Sequence, residues 1–109
     1  MRAMVAAFDI GRMDTLDEII HADYLDHQGL PHRRPIRGVD GFRKVVEVAR
    51  SGYDDLSINI ADLIEGVDRA AARLMWSGVR RTGEPTERET LEIVRVDGGR
   101  AIEHWGGHS

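Results

Sequence analysis

The chain contains no cysteine, so disulfides, thiolate nucleophiles and thiolate metal sites are excluded at the outset. It contains no apolar run near the ~20 residues a membrane-spanning helix needs, and no signal-peptide pattern at its N-terminus. With cysteine absent, these features fit a reducing cytoplasm, which is the expected location. Lysine is almost missing. Lys44 is the one lysine among 15 basic residues, a bias that points to GC-rich coding rather than to a nucleic-acid surface. No basic helix, aromatic-plus-glycine strand motif or zinc spacing supports DNA or RNA binding. His-x-His spacing is lacking and the one His-x-x-x-His, His104 to His108, is read as accidental, so no metal site or cofactor is expected. What is present is an ordinary globular balance, 41% hydrophobic and 31% charged with a net charge of −4, and 109 residues are read as one domain.

Met1, Met4, Val5 and Phe8 recur at helical spacing before Gly11. Asp14 can cap a second helix with Leu16, Ile19 and Ile20 as its buried stripe, yielding at Asp23 to a short extended piece through His27. Residues 28–37 carry Gly29, Pro31 and Pro35 and read as an irregular loop. Its basic cluster, His32-Arg33-Arg34-Pro35-Ile36-Arg37, is either solvated or the rim of a charged pocket. A third helix runs from Asp40 to Ser51-Gly52, with Phe42, Val45, Val46 and Ala49 on one face. Everything after Asp55 alternates as β-strand, including a long run from Arg69 to Arg81 that is expected to bend at Ser77-Gly78. Asp97-Gly98-Gly99 is a hairpin turn that delivers His104 and Trp105 on a closing strand over residues 100–105. The pattern predicts an α+β fold in which helices cover the concave side of a curved sheet and leave a ligand cavity between.

Five stretches, in order, carry a resemblance. They are residues 22–27 (ADYLDH), 38–43 (GVDGFR), 55–58 with 62–64, 68–73 with Trp76-Ser77-Gly78, and 95–105 (RVDGGRAIEHW). In these the chain resembles the SnoaL-like polyketide cyclases of the nuclear-transport-factor-2-like (NTF2-like) superfamily, over nearly its whole length. The resemblance implies a cone-shaped NTF2-like fold, with N-terminal helices packed on a strongly curved antiparallel or mixed sheet. It also implies a homodimer formed through that sheet and an apolar, polyketide-like substrate. In those cyclases an aspartate after the His-Trp pair is the general acid/base; here that position is Gly106. The first helix and the loop Thr82-Gly83-Glu84-Pro85 are also shorter than the family pattern.

The expected activity is cofactor-free acid/base cyclisation or isomerisation, with His27, His104 and Asp26 as candidate catalytic residues. Histidine can give or take a proton near neutral pH. Strand alternation puts Asp26 and His27 on opposite faces, and groups His104 with Gly106 against Glu103 with Trp105. Tyr24, Phe42, Trp76, Leu91 and Gly106 are the expected pocket lining. Arg73, Glu89 and Glu92 are expected to pair across strands on a wet or subunit-facing surface. Asp62 interrupts an apolar row, as an exposed strand residue or as a buried base. Two alternatives stand beside the cyclase: a ligand-binding module without chemistry, suggested by Gly106, and an epoxide hydrolase using Asp26 or Asp62.

Overall fold

The computed structural model describes residues 1–27 and 36–108. His32 and most of the basic cluster therefore lie outside the described residues.

The first apolar stripe forms α1 (Arg2–Ile10), whose Met4, Val5 and Ala7 are buried. The second helix is shorter than its stripe implies. α2 spans only Leu16–Ile19, and Ile20 already opens β1 (Ile20–Asp26). Parallel pairing of Ile20 with Ala101 claims those residues, so the tertiary ladder overrides the local helical period. β2 (Ile36–Arg37) leads into α3 (Gly38–Ser51), which buries Phe42 and Val46. Four strands follow: β3 (Tyr53–Glu65), β4 (Arg69–Arg80), β5 (Pro85–Asp97) and β6 (Arg100–His108). The turn between β5 and β6 has Gly98 at φ 59° and Gly99 at φ 79°, the left-handed pair that a tight hairpin requires.

One six-stranded sheet results, in the order β2-β1-β6-β5-β4-β3. Every pairing is antiparallel except β1 with β6, so the sheet is mixed and the fold is α+β as expected. Two irregularities bend β3, between Tyr53 and Asp55 and between Ile60 and Asp62. The first lies opposite Val79 and Arg80, just beyond Gly78. A Cβ there would sit 2.3 Å from the Asp55 carbonyl oxygen, so the glycine allows a bulge in its neighbour. The second turns Asp62 outward, where its carboxylate accepts a 2.7 Å hydrogen bond from Arg73 Nε.

The helices cover one face of the sheet. Met4, Leu16, Ile20, Tyr24, Phe42 and Val94 pack as one buried cluster, and Val5, Ile58, Ala72, Leu74 and Trp76 as another. Four aromatic rings link them edge to face, Tyr24–Phe42, Phe42–Phe8 and Phe8–Trp76, each at 5.7 Å between centroids. α3 is tied to α1 by Arg50, which donates to the carbonyls of Phe8 and Asp9 at 2.6 and 2.8 Å. Asp9 in turn accepts the Ile58 amide at 3.0 Å, fixing α1 on the sheet. None of the described helices is long and apolar enough to cross a membrane.

Candidate functional site

Between the helices and the inner face of the sheet lies a cavity of about 810 Å³. That is ample for a multi-ring small molecule. Its walls are mostly apolar, from Met4, Phe8, Phe42, Ile58, Leu74 and Trp76, with a polar cluster on β1, β5 and β6.

The polar cluster follows from strand register. Asp26 and His104 are neighbours in the parallel β1–β6 pair, and the Asp26 carboxylate lies 2.9 Å from His104 Nδ1. Tyr24, two residues back on the same face of β1, donates its hydroxyl to the other Asp26 oxygen at 3.0 Å. On the far side, Glu92 of β5 pairs directly with Gly106 and reaches diagonally to His104 Nε2 at 2.5 Å. Position 106 has no side chain, which leaves that part of the face to the Glu92 carboxylate. Asp26, Glu92 and His104 are only 3%, 8% and 8% exposed.

Charge follows geometry. Burial pushes the His104 pKa down, but hydrogen bonds to Asp26 and Glu92, together with their negative charges, outweigh it and raise the pKa to about 9. At neutral pH the ring is thus an imidazolium donating one N–H to each carboxylate. Burial, and then the Asp26 charge, hold the Tyr24 hydroxyl far above its ordinary pKa, so it stays a neutral donor. Among the described residues no three His, Asp or Glu side chains are arranged to hold a metal ion.

The expected site residues divide between two faces. Tyr24, Asp26, Phe42, Trp76, His104 and Gly106 line the cavity. His27 does not. It follows Asp26 and therefore points outward, where it is exposed, stacks on Trp105 at 5.0 Å and lies 2.6 Å from Glu103. Glu103 also accepts from Arg95 at 2.9 Å, and the His27 and Arg95 hydrogen bonds hold its carboxyl below its usual pKa. Leu91, expected in the lining, is 50% exposed on that same outer face, beside Ile93 at 44%.

Glu92 reverses its expected place on a wet surface. An unbulged hairpin around Gly98-Gly99 would set Leu91 opposite Gly106. Instead Val96 pairs with Ala101 while Arg95 pairs with Glu103, leaving Ile102 as an extra residue in β6. That one-residue shift in β6 brings His104 and Gly106 onto the inner face with Thr90, Glu92 and Val94, while Leu91 and Ile93 face outward. The buried Thr90 hydroxyl accepts the Trp76 indole N–H at 2.9 Å.

The SnoaL-like polyketide cyclase family model matches residues 1–107. A Streptomyces peucetius relative, aklanonic acid methyl ester cyclase, is 24% identical over 95% of this chain and 78% of its own length. The crystal structure of IdmH from Streptomyces antibioticus is 26% identical, with a TM-score of 0.83 over 97% of this chain and 86% of that one. A SnoaL-like polyketide cyclase from Agrobacterium tumefaciens shares the fold at a TM-score of 0.84 and 16% identity, covering 99% of this chain and 87% of its own. A chain with a ketosteroid isomerase-like fold from Catenulispora acidiphila superposes at 0.81 with 14% identity, over 99% of this chain and 83% of its own. With the α+β architecture and the collinear motifs, these matches establish that the chain belongs to the SnoaL-like polyketide cyclase family and has the NTF2-like fold.

Proposed function

We propose that the chain catalyses cofactor-free ring closure or isomerisation of an apolar, polyketide-like ketone, using Glu92, His104 and Asp26. The observation supporting this reading is an imidazolium held between two buried carboxylates in the wall of an apolar cavity. Intramolecular aldol closure needs a base to remove a proton alpha to a carbonyl and an acid to protonate the alkoxide that forms. In this reading Glu92 takes the carbon-bound proton and the enolate carbon attacks a second carbonyl. Glu92 then returns the proton to the new alkoxide. One proton leaves carbon and one reaches oxygen, so the product is an isomer of the substrate. His104 holds the Glu92 carboxylate in place and offsets negative charge as the enolate develops, while Asp26, ordered by Tyr24, fixes the ring. Glu92, across from Gly106, stands in for the aspartate that the family carries after its His-Trp pair.

The test is turnover of polyketone substrates offered both as free acids and as methyl esters, among them aklanonic acid methyl ester, the compound named for the Streptomyces peucetius relative. Glu92→Gln and His104→Ala should each lower turnover at least about 100-fold. Full turnover in both variants would sink the reading. Gly106 favours a second reading, ligand binding without chemistry. Activity appearing only in Gly106→Asp would select it. We also propose a homodimer through the outer face around Leu91 and Ile93. Sedimentation of Leu91→Glu as a monomer where the wild type is a dimer tests it, and a monomeric wild type refutes it.

A further inference from the structure

We infer that the cavity selects a ligand carrying a carboxylate, and that Arg88 is the residue that binds it. This rests on the cavity being the substrate site, as in the ring-closure reading, and names the class of substrate.

The neighbouring cations are engaged. Arg73 is bonded to Asp62, Arg81 to Asp54 and Arg95 to Glu103, while Arg50 meets two carbonyls and His104 two carboxylates. Arg88 differs. It lines the cavity, yet among the described residues its buried Nε has no hydrogen-bond partner. Its contact is the face of Trp76, its cross-strand neighbour, with Cζ 4.8 Å from the ring centroid. Buried N–H donors are rarely left unmatched in native proteins. The guanidinium is planar and presents its paired N–H donors as a fork, the geometry that grips a carboxylate.

Among the described residues the acids lining the cavity are Asp26 and Glu92, and both are bonded to His104. Glu92 is four residues along β5, about 13 Å at ~3.3 Å per residue, and is committed to His104. Thr90 between them is already bonded to Trp76. The inner face of β5 thus carries a cation at one end and the acid/base cluster at the other, with apolar walls between. A substrate fitting both ends is an elongated apolar acid whose reactive ketone lies well away from its carboxylate. Lys44 also lines the cavity, but at the exposed rim of α3, where water competes.

The experiment compares anthraquinone-2-carboxylate with its methyl ester by fluorescence quenching. A Trp105→Phe background leaves Trp76 as the reporter. The acid should bind at least about tenfold tighter than the ester. Arg88→Met should abolish that preference with little change for the ester, and Arg88→Lys should keep the acid the tighter ligand. Equal binding of acid and ester, no binding of either, or a preference surviving in Arg88→Met and lost in Lys44→Met each overturns the inference. Turnover is not needed for this readout. Acid selectivity without turnover in any polyketone assay would leave Arg88 assigned and count against the ring-closure reading alone.

Discussion

His104 on the inner face of β6 and His27 at the outer end of β1 both lie within 3 Å of a carboxylate, yet they sit in different physical situations. His104 is buried between two carboxylates, where water cannot screen the charges, and its pKa rises to about 9. His27 shares one half-buried carboxylate with Arg95, stacks on Trp105 and keeps its contact with solvent. A short distance to an acid does not define a site. Burial, and the number of acids around the ring, do. The proposed proton chemistry is assigned to the inner face, and the outer one carries surface packing.

The strongest way to break this contrast is to remove each ring in turn. His104→Ala leaves Asp26 and Glu92 buried with no counter-charge between them. It should cost about 3–5 kcal/mol of stability and lower Tm by more than about 12 °C in thermal unfolding. The next effect is in pH. The folded pKa of His104 lies above its unfolded value of 6.5, so its stabilisation is fully present below about pH 6.5 and disappears as pH rises through about 9. A loss on the order of 3 kcal/mol across that window should appear in denaturant melts of the wild type and be absent in His104→Ala. Gly78→Ala is a control that touches neither ring. Its Cβ must push on the Asp55 carbonyl, so about 1–3 kcal/mol should be lost while the pH dependence stays. Thr90→Val removes the acceptor of the buried Trp76 indole and should cost about 1 kcal/mol. The smallest effect is that of His27→Ala, under about 1 kcal/mol, with turnover retained.

Much of the frame is legible in the chain itself. The apolar period of Met4, Val5 and Phe8, the Asp97-Gly98-Gly99 turn and the alternation of His104 with Trp105 are local signals, and each appears where local physics puts it. Two features depend on partners that no local pattern contains. α2 ends early because β6 captures Ile20. Glu92 and not Leu91 shares the face of His104 because a single extra residue at Ile102 resets the register of β6 against β5, a strand with apolar side chains on both sides. With Leu91 and Ile93 alternating against Thr90 and Val94, hydropathy alone cannot say which set faces the helices. The carboxylate that completes the cluster was hidden by that ambiguity. The Gly106 opposite it was the one available clue, since an empty position on a buried face must be filled from a neighbouring strand.

The charge state of His104 is the property on which the inner-face cluster depends. Long-range ¹H–¹⁵N correlation spectra of the imidazole nitrogens, recorded between pH 6 and 10, report protonation at each nitrogen. Nδ1 and Nε2 should both carry protons at pH 7.5, with a single transition near pH 9. A neutral tautomer at pH 7.5, with the transition at or below 7, would contradict that charge state.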